Sequence, residues 1–196
     1  MKSTKDEILL AIKKNLPEEK TEIPEIPDFG RNIPDLLDAF KENLTLAAGT
    51  FHEVNDEIEA NKLLHTLFPD AKVICSATPR IHGNKNIHTV KDPHELADVD
   101  VGVVQAHFGI AENGMVWITQ EDLKINALGF LSQHLVILLD KNNLVKDLYE
   151  AYRKIDLSST HYGCFMLGPS ATADIGAVMI RGAQGARSLT VFFLPD

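Results

Sequence analysis

Two apolar runs, "LVILL" at residues 135–139 and "LTVFFL" at 189–194, limit what this chain can fold into. A strand with one wet face alternates apolar and polar residues, whereas a strand buried on both faces does not. Both runs therefore read as central strands of a sheet covered on either side. Strand patterns recur in "TLAAGTFHEV", "AKVICS", "DVDVGVVQAHFG", "GMVWIT" and "GCFMLG". Between them "NDEIEANKLLHTLF", with Asn55 as its cap, and "NNLVKDLYEAYRKI" carry helical spacing, and Pro93 to Ala97 suit a short helix. This alternation predicts an α/β fold, a mostly parallel sheet flanked by helices.

A chain of 196 residues with 44% hydrophobic content is ample for one sizeable core and short for two. The formal charge of -9 argues against a nucleic-acid surface, which needs clustered Lys and Arg. The start, "MKSTKDEILLAIKKN", has no apolar core of a targeting signal, and no later run is long enough to span a membrane. Cys75 and Cys164 lie in apolar, strand-like surroundings and read as buried thiols in a reducing cytoplasm. Without Cys-x-x-Cys or a nucleotide fingerprint such as Gly-x-Gly-x-x-Gly, neither an iron–sulfur centre nor another cofactor is expected in the chain itself. The eight histidines are never closer than six residues, which matches no metal-ligand spacing.

Residues 1–45 read as a separate region before an α/β domain at 46–196. Thr4-Lys5-Asp6-Glu7 has the form of a capping box, and Ile8, Leu9, Ile12 and Leu16 follow at helical spacing up to Pro17. The acidic, proline-rich stretch 17–34 reads as an extended tether. Pro34 suits the first turn of a second helix, with Leu36, Leu37, Phe40 and Leu44 on one face.

Ligands of open α/β sheets collect where loops leave the carboxyl ends of strands. Three glycine-marked loops are candidates, and they are expected to converge at one edge of the sheet. The first, "GIAENG", runs from Gly109 to Gly114. A hairpin asks only for Asn113-Gly114, with two positive φ angles, so the added Glu112 and Gly109 call for a reason. Glu112 is either a solvated or amide-tying turn residue or a carboxylate brought close to a ligand by small neighbours. The second loop, "LGPSATADIG", holds Gly168, Ser170, Thr172 and Asp174. It reads as a strand-to-helix turn whose exposed amides suit a carboxylate or phosphate. The third, "RGAQGARS", holds Gly182 and Gly185 between Arg181 and Arg187.

Taken in order, these loops resemble the signatures of the LUD-domain family, the lactate-utilisation protein C (LutC/YkgG) group. Gly109, Ala111, Glu112 and Gly114 match its Gly-x-Ala-Glu-Thr-Gly-Thr, with Asn113 and Met115 in place of the threonines. Gly168, Pro169, Ser170, Thr172, Asp174 and Ile175 match Gly-Pro-Ser-x-Thr-x-Asp-Ile-Glu, with Gly176 for the glutamate. Gly182 and Gly185 remain of Gly-x-His-Gly-Pro, where Gln184 and Ala186 replace histidine and proline. In "SQHLVILLD", His134 is retained and Ser132 stands in a proline's place. The resemblance spans roughly residues 46–196 and implies a NagB/RpiA/CoA-transferase-like fold. It further implies a part in bacterial oxidation of L-lactate to pyruvate beside iron–sulfur partner proteins. Two alternatives stand beside it. "AENG" resembles the Ser-Glu-Asn-Gly loop of CoA-transferases, whose glutamate attacks an acyl-CoA, which would make Glu112 catalytic. A non-catalytic assembly factor that binds a small acid is the other.

Overall fold

In the computed structural model, residues 3–16, 27, 32–156, 158–173 and 176–195 are described. Most of the tether at 17–34 lies outside them, as do Asp174 and Ile175. The chain forms two compact units, Met1–Arg31 and Asn32–Asp196. In the first, helix α1 (Thr4–Lys14) begins one residue earlier than the sequence suggests. Ser3 is its cap, and Ser3 and Asp6 form the capping box. Ile8, Leu9, Leu10 and Ile12 are all exposed.

The second unit runs α2 (Leu36–Leu46), β1 (Thr50–Glu53), α3 (Glu57–Leu67), β2 (Ile74–Ser76), β3 (Lys85–Asn86), β4 (Val101–Gln105), β5 (Phe108–Ile110) and β6 (Met115–Thr119). It continues with α4 (Gln120–Leu123), α5 (Leu128–Leu131), β7 (His134–Leu139), β8 (Leu144–Val145), α6 (Leu148–Lys154) and β9 (Gly163–Met166). It ends with β10 (Ala171–Thr172), β11 (Ile180–Arg181) and β12 (Ser188–Phe193). Short 3₁₀ turns stand at Ile87–Thr89 and Pro93–Asp98. Asp56, rather than Asn55, caps α3, its carboxylate accepting from the Glu59 amide at 2.7 Å. Pro34 precedes the α2 cap, Asp35.

Six strands form a wholly parallel sheet in the order β1-β12-β7-β4-β2-β3. The two apolar runs are its inner strands β12 and β7. Their alternate residues serve different cores, as a strand's two-residue period requires. Leu135, Ile137, Leu139, Val191 and Phe193 point into one core with Phe40 and Leu44 of α2. Val136, Leu138 and Phe192 point into the other, beneath Ala60 and Leu64 of α3. Each such side chain contributes about 1.5–3 kcal/mol by leaving water. Because Phe40 and Leu44 are fully buried, α2 packs as part of this unit, ahead of residue 46.

Helices are not the whole cover. A second sheet, β8-β5-β6-β9, lies on the α2 face, with β6 antiparallel to both β5 and β9. Val116, Ile118 and Met166 join the core shared with α2, while Phe108, Ile110 and Trp117 pack with Ala151 of α6. The long helix expected over "NNLVKDLYEAYRKI" is therefore divided. Leu144–Val145 pair with β5, and Asp147 starts α6. The helix start expected at Ser170 is a strand instead, since Ala171–Thr172 pair antiparallel with Ile180–Arg181.

Candidate functional site

The opening loop is a packed knot. Only Gly114 takes a positive φ, +76°, so the turn spans Ala111 to Gly114 rather than the Asn-Gly pair alone. The amides of Ala111 and Glu112 donate to the Val145 and Lys146 carbonyls at 2.9 and 3.0 Å. The half-buried Glu112 accepts the Leu148 N–H through Oε2 at 3.4 Å, at the start of α6. A negative group is favoured there, where helix amides point outward. Asn43 of α2 donates to the Ala111 carbonyl at 2.9 Å. A Cβ on Gly114 would lie 2.4 Å from the Leu44 nitrogen, and one on Gly109 would lie 2.7 Å from the Phe40 ring. These glycines make room for α2 and its side chains.

The second and third loops do meet. Ser170 donates its N–H to Ala186 at 2.9 Å and its hydroxyl to Gln184 at 2.6 Å, and its carbonyl accepts from Gly182 at 2.8 Å. Thr172 faces Ile180 across the short hairpin, and Gly185 lies against the Ser170 side chain. Gly168, Ser170 and Gly185 line a mainly apolar hollow of about 370 Å³ with Phe130, Phe165 and Leu189. Gly168 touches the end of α2 as well, its added Cβ falling 2.3 Å from the Ala47 carbonyl. Asp174 lies outside the described residues.

This hollow stands at the amino end of β7 and β12, where Leu135 and Leu189 line it, and not at the carboxyl edge expected from the sequence. The reason is β9. It runs antiparallel to β6 in the smaller sheet, so the loop leaving it is not carried to the carboxyl edge of the large one. His134 also lies at the amino end, with Nδ1 2.8 Å from Ser188 Oγ.

The carboxyl edge holds a different constellation. Along the parallel sheet, the chain passes from β2 outward to β3, then returns to β4 and proceeds toward β7. The reversal between β2 and β4 is a topological switch point, where loops part and leave a crevice. A cleft of about 350 Å³ opens there. It is lined by Thr78 after β2, Gln105 at the end of β4 and His107 after it, Asn143 after β7, and Asp122 and Lys124 at α4.

His107 Nε2 lies 2.8 Å from Asp122 Oδ2, which also accepts the Thr119 amide and hydroxyl at 2.8 and 2.7 Å. The hydrogen bond to Asp122 raises the imidazole above its ordinary range against the opposing effect of burial. Burial works against the Asp122 carboxylate too, but the bonds from His107 and Thr119 prevail and hold it low. The pair is thus an oriented imidazole, shifted toward its protonated form, and a carboxylate, able to hold an anion or move a proton. Lys124 takes φ +60° and ψ -49°, unusual for a residue with a side chain, and donates Nζ to the Glu121 carbonyl at 2.7 Å.

This site escapes a reading based on histidine spacing because hairpin β5–β6, not local sequence, joins its halves. One local sign was available: Thr119-x-x-Asp122 has the spacing of a capping box.

These features define an open α/β fold of the parallel-sheet class with a charged crevice at its switch point. The LUD domain model matches residues 37–194, and the chain belongs to that family. The fold is similar to the crystal structure of a DUF162 family protein from Deinococcus radiodurans. That match has a TM-score of 0.62 at 14% identity, covering 81% of this chain and 96% of the other. No curated protein matches. Among the described residues, no helix is long and apolar enough to cross a membrane.

Proposed function

We propose that this chain is a cytoplasmic component of a bacterial L-lactate utilisation system and that its carboxyl-edge cleft holds the small acid. The LUD domain family is associated in general with lactate utilisation. The observation that carries the reading is the 2.8 Å His107–Asp122 pair in the crevice at the switch point. An imidazole fixed by Asp122 and favoured in its protonated form, with Lys124 on the same lining, suits a carboxylate.

Oxidation of lactate to pyruvate removes two electrons and needs an acceptor. We assign that step to iron–sulfur partner proteins. Cys75 is buried, with its thiol pushed up to about 11, and burial raises Cys164 as well, so neither favours the thiolate a cluster requires. Acyl transfer through Glu112 fits less well, because its carboxylate faces the Leu148 amide and lines neither this cleft nor the hollow beside Ser170.

Complementation tests the reading. In a strain lacking the gene, the wild-type chain should restore growth on L-lactate, whereas His107→Ala at equal abundance should not, with growth on pyruvate intact in both. Full growth of the His107→Ala strain on lactate would overturn it.

A further inference from the structure

The cleft does not end at Lys124. Thr78, Pro79 and Lys124 also wall a second hollow of about 580 Å³, on the side of the β2–β3 connection. L-lactate, with a handful of heavy atoms, would fill only part of either space.

The lining chemistry of the second hollow is one-sided. His82, Lys85 and His88 contribute to it beside Lys124, and no carboxylate does. Lys85 is held by Asp98 at 2.5 Å, while the Lys124 Nζ donates to a neutral group, the Glu121 carbonyl. In a chain of net charge -9, a hollow without acidic lining selects for an anion. The backbone of Lys124 adds an independent sign. A non-glycine residue held at positive φ is strained, and such strain persists where the surroundings fix a side chain in place. Here the strained residue, Lys124, belongs to the wall common to both spaces.

We infer that the two hollows form one site for a ligand with two anionic ends, a carboxylate toward His107 and a phosphate toward His82 and His88, astride Lys124. This rests on the reading of the cleft as a small-acid site and names the substrate class: a phosphorylated short-chain hydroxy acid. A phosphate group fits the second space better than another carboxylate does. It brings close to two charges at neutral pH and acceptor oxygens in three directions, which scattered imidazole and ammonium donors can meet.

Calorimetric titration of the full chain with L-lactate, inorganic phosphate and phospho-L-lactate tests this. Phospho-L-lactate should bind about tenfold or more tightly than either single-ended anion. Joint replacement His82→Ala and His88→Ala should bring its affinity down to that of lactate. Lys124→Gly should weaken phospho-L-lactate binding while raising the melting temperature, a combination that misfolding does not produce. Lactate binding without any gain from the phosphate, or a gain surviving loss of both histidines, would overturn the two-ended ligand and leave the small-acid reading standing. Binding of none of the three anions would overturn both.

Discussion

His107 and Asp122 meet at 2.8 Å because the β5–β6 hairpin returns the chain beside its own starting point. The His107 amide donates to the Trp117 carbonyl at 3.0 Å, and Thr119 then opens α4 with Asp122 in its first turn. The contact belongs to the fold, so its titration reports on the folded state.

The pair's pH dependence has two limbs. His107 is raised from its ordinary 6.5, so its contribution is complete below that value and is lost as pH rises through the folded pKa. Asp122 is lowered from 3.8, so its contribution is present above that value and is lost as pH falls through the folded pKa. Stability from the pair should therefore span the interval between the two folded values. A nuclear magnetic resonance titration should place the His107 midpoint above 6.5, and Asp122→Asn should bring it down. An unchanged midpoint in that variant would contradict the assignment.

Glu112→Gln should act on stability and not on ligand. Removing the negative charge beside the first amide of α6 is expected to cost about 1 kcal/mol, seen as a lower melting temperature. Lactate affinity in calorimetry should match the wild type. Lost affinity in a normally stable variant would return the residue to the site.

Gly114→Ala and Gly176→Ala separate crowding from conformation. Both glycines have positive φ, +76° and +65°, but nothing lies within 4 Å of a Cβ at Gly176, whereas Leu44 backbone blocks one at Gly114. Alanine at 176 should cost about 1 kcal/mol, and at 114 more than about 2 kcal/mol. Equal losses in chemical denaturation would show that crowding by α2 is unimportant.

Lys124→Gly should stabilise the chain by roughly 1 kcal/mol through relief of its positive φ. The lost hydrogen bond to Glu121 is exposed and offsets little of that gain. A lower melting temperature would mean that the observed φ carries no strain.

Much of the scaffold was legible because it rests on short-range pattern. The runs at 135–139 and 189–194 are inner parallel strands, with successive side chains in opposite cores. Phe40 and Leu44 were likewise readable as one buried face of α2. What failed depended on partners distant in sequence. Ser170 and Thr172 have the chemistry of a helix start, yet Ala171 and Thr172 pair with Arg181 and Ile180 as a strand instead. Glycine in the first loop signalled close approach correctly, but sequence does not say whether ligand or helix is approached. His107 stayed hidden because its partner arrives through a hairpin whose register no local pattern states.

The end of α2 measures the loops laid against it. Gly114 meets the helix at Leu44 and Gly168 meets it at Ala47, both through backbone atoms. Substitution at these two positions is thus constrained by a single gap, and neither glycine can be exchanged on its own terms. A shift of α2 outward by about a methyl group's width would loosen the steric limit at both together, leaving only their positive φ angles to favour glycine. Divergence in the two signature loops would then be correlated through a helix that belongs to neither.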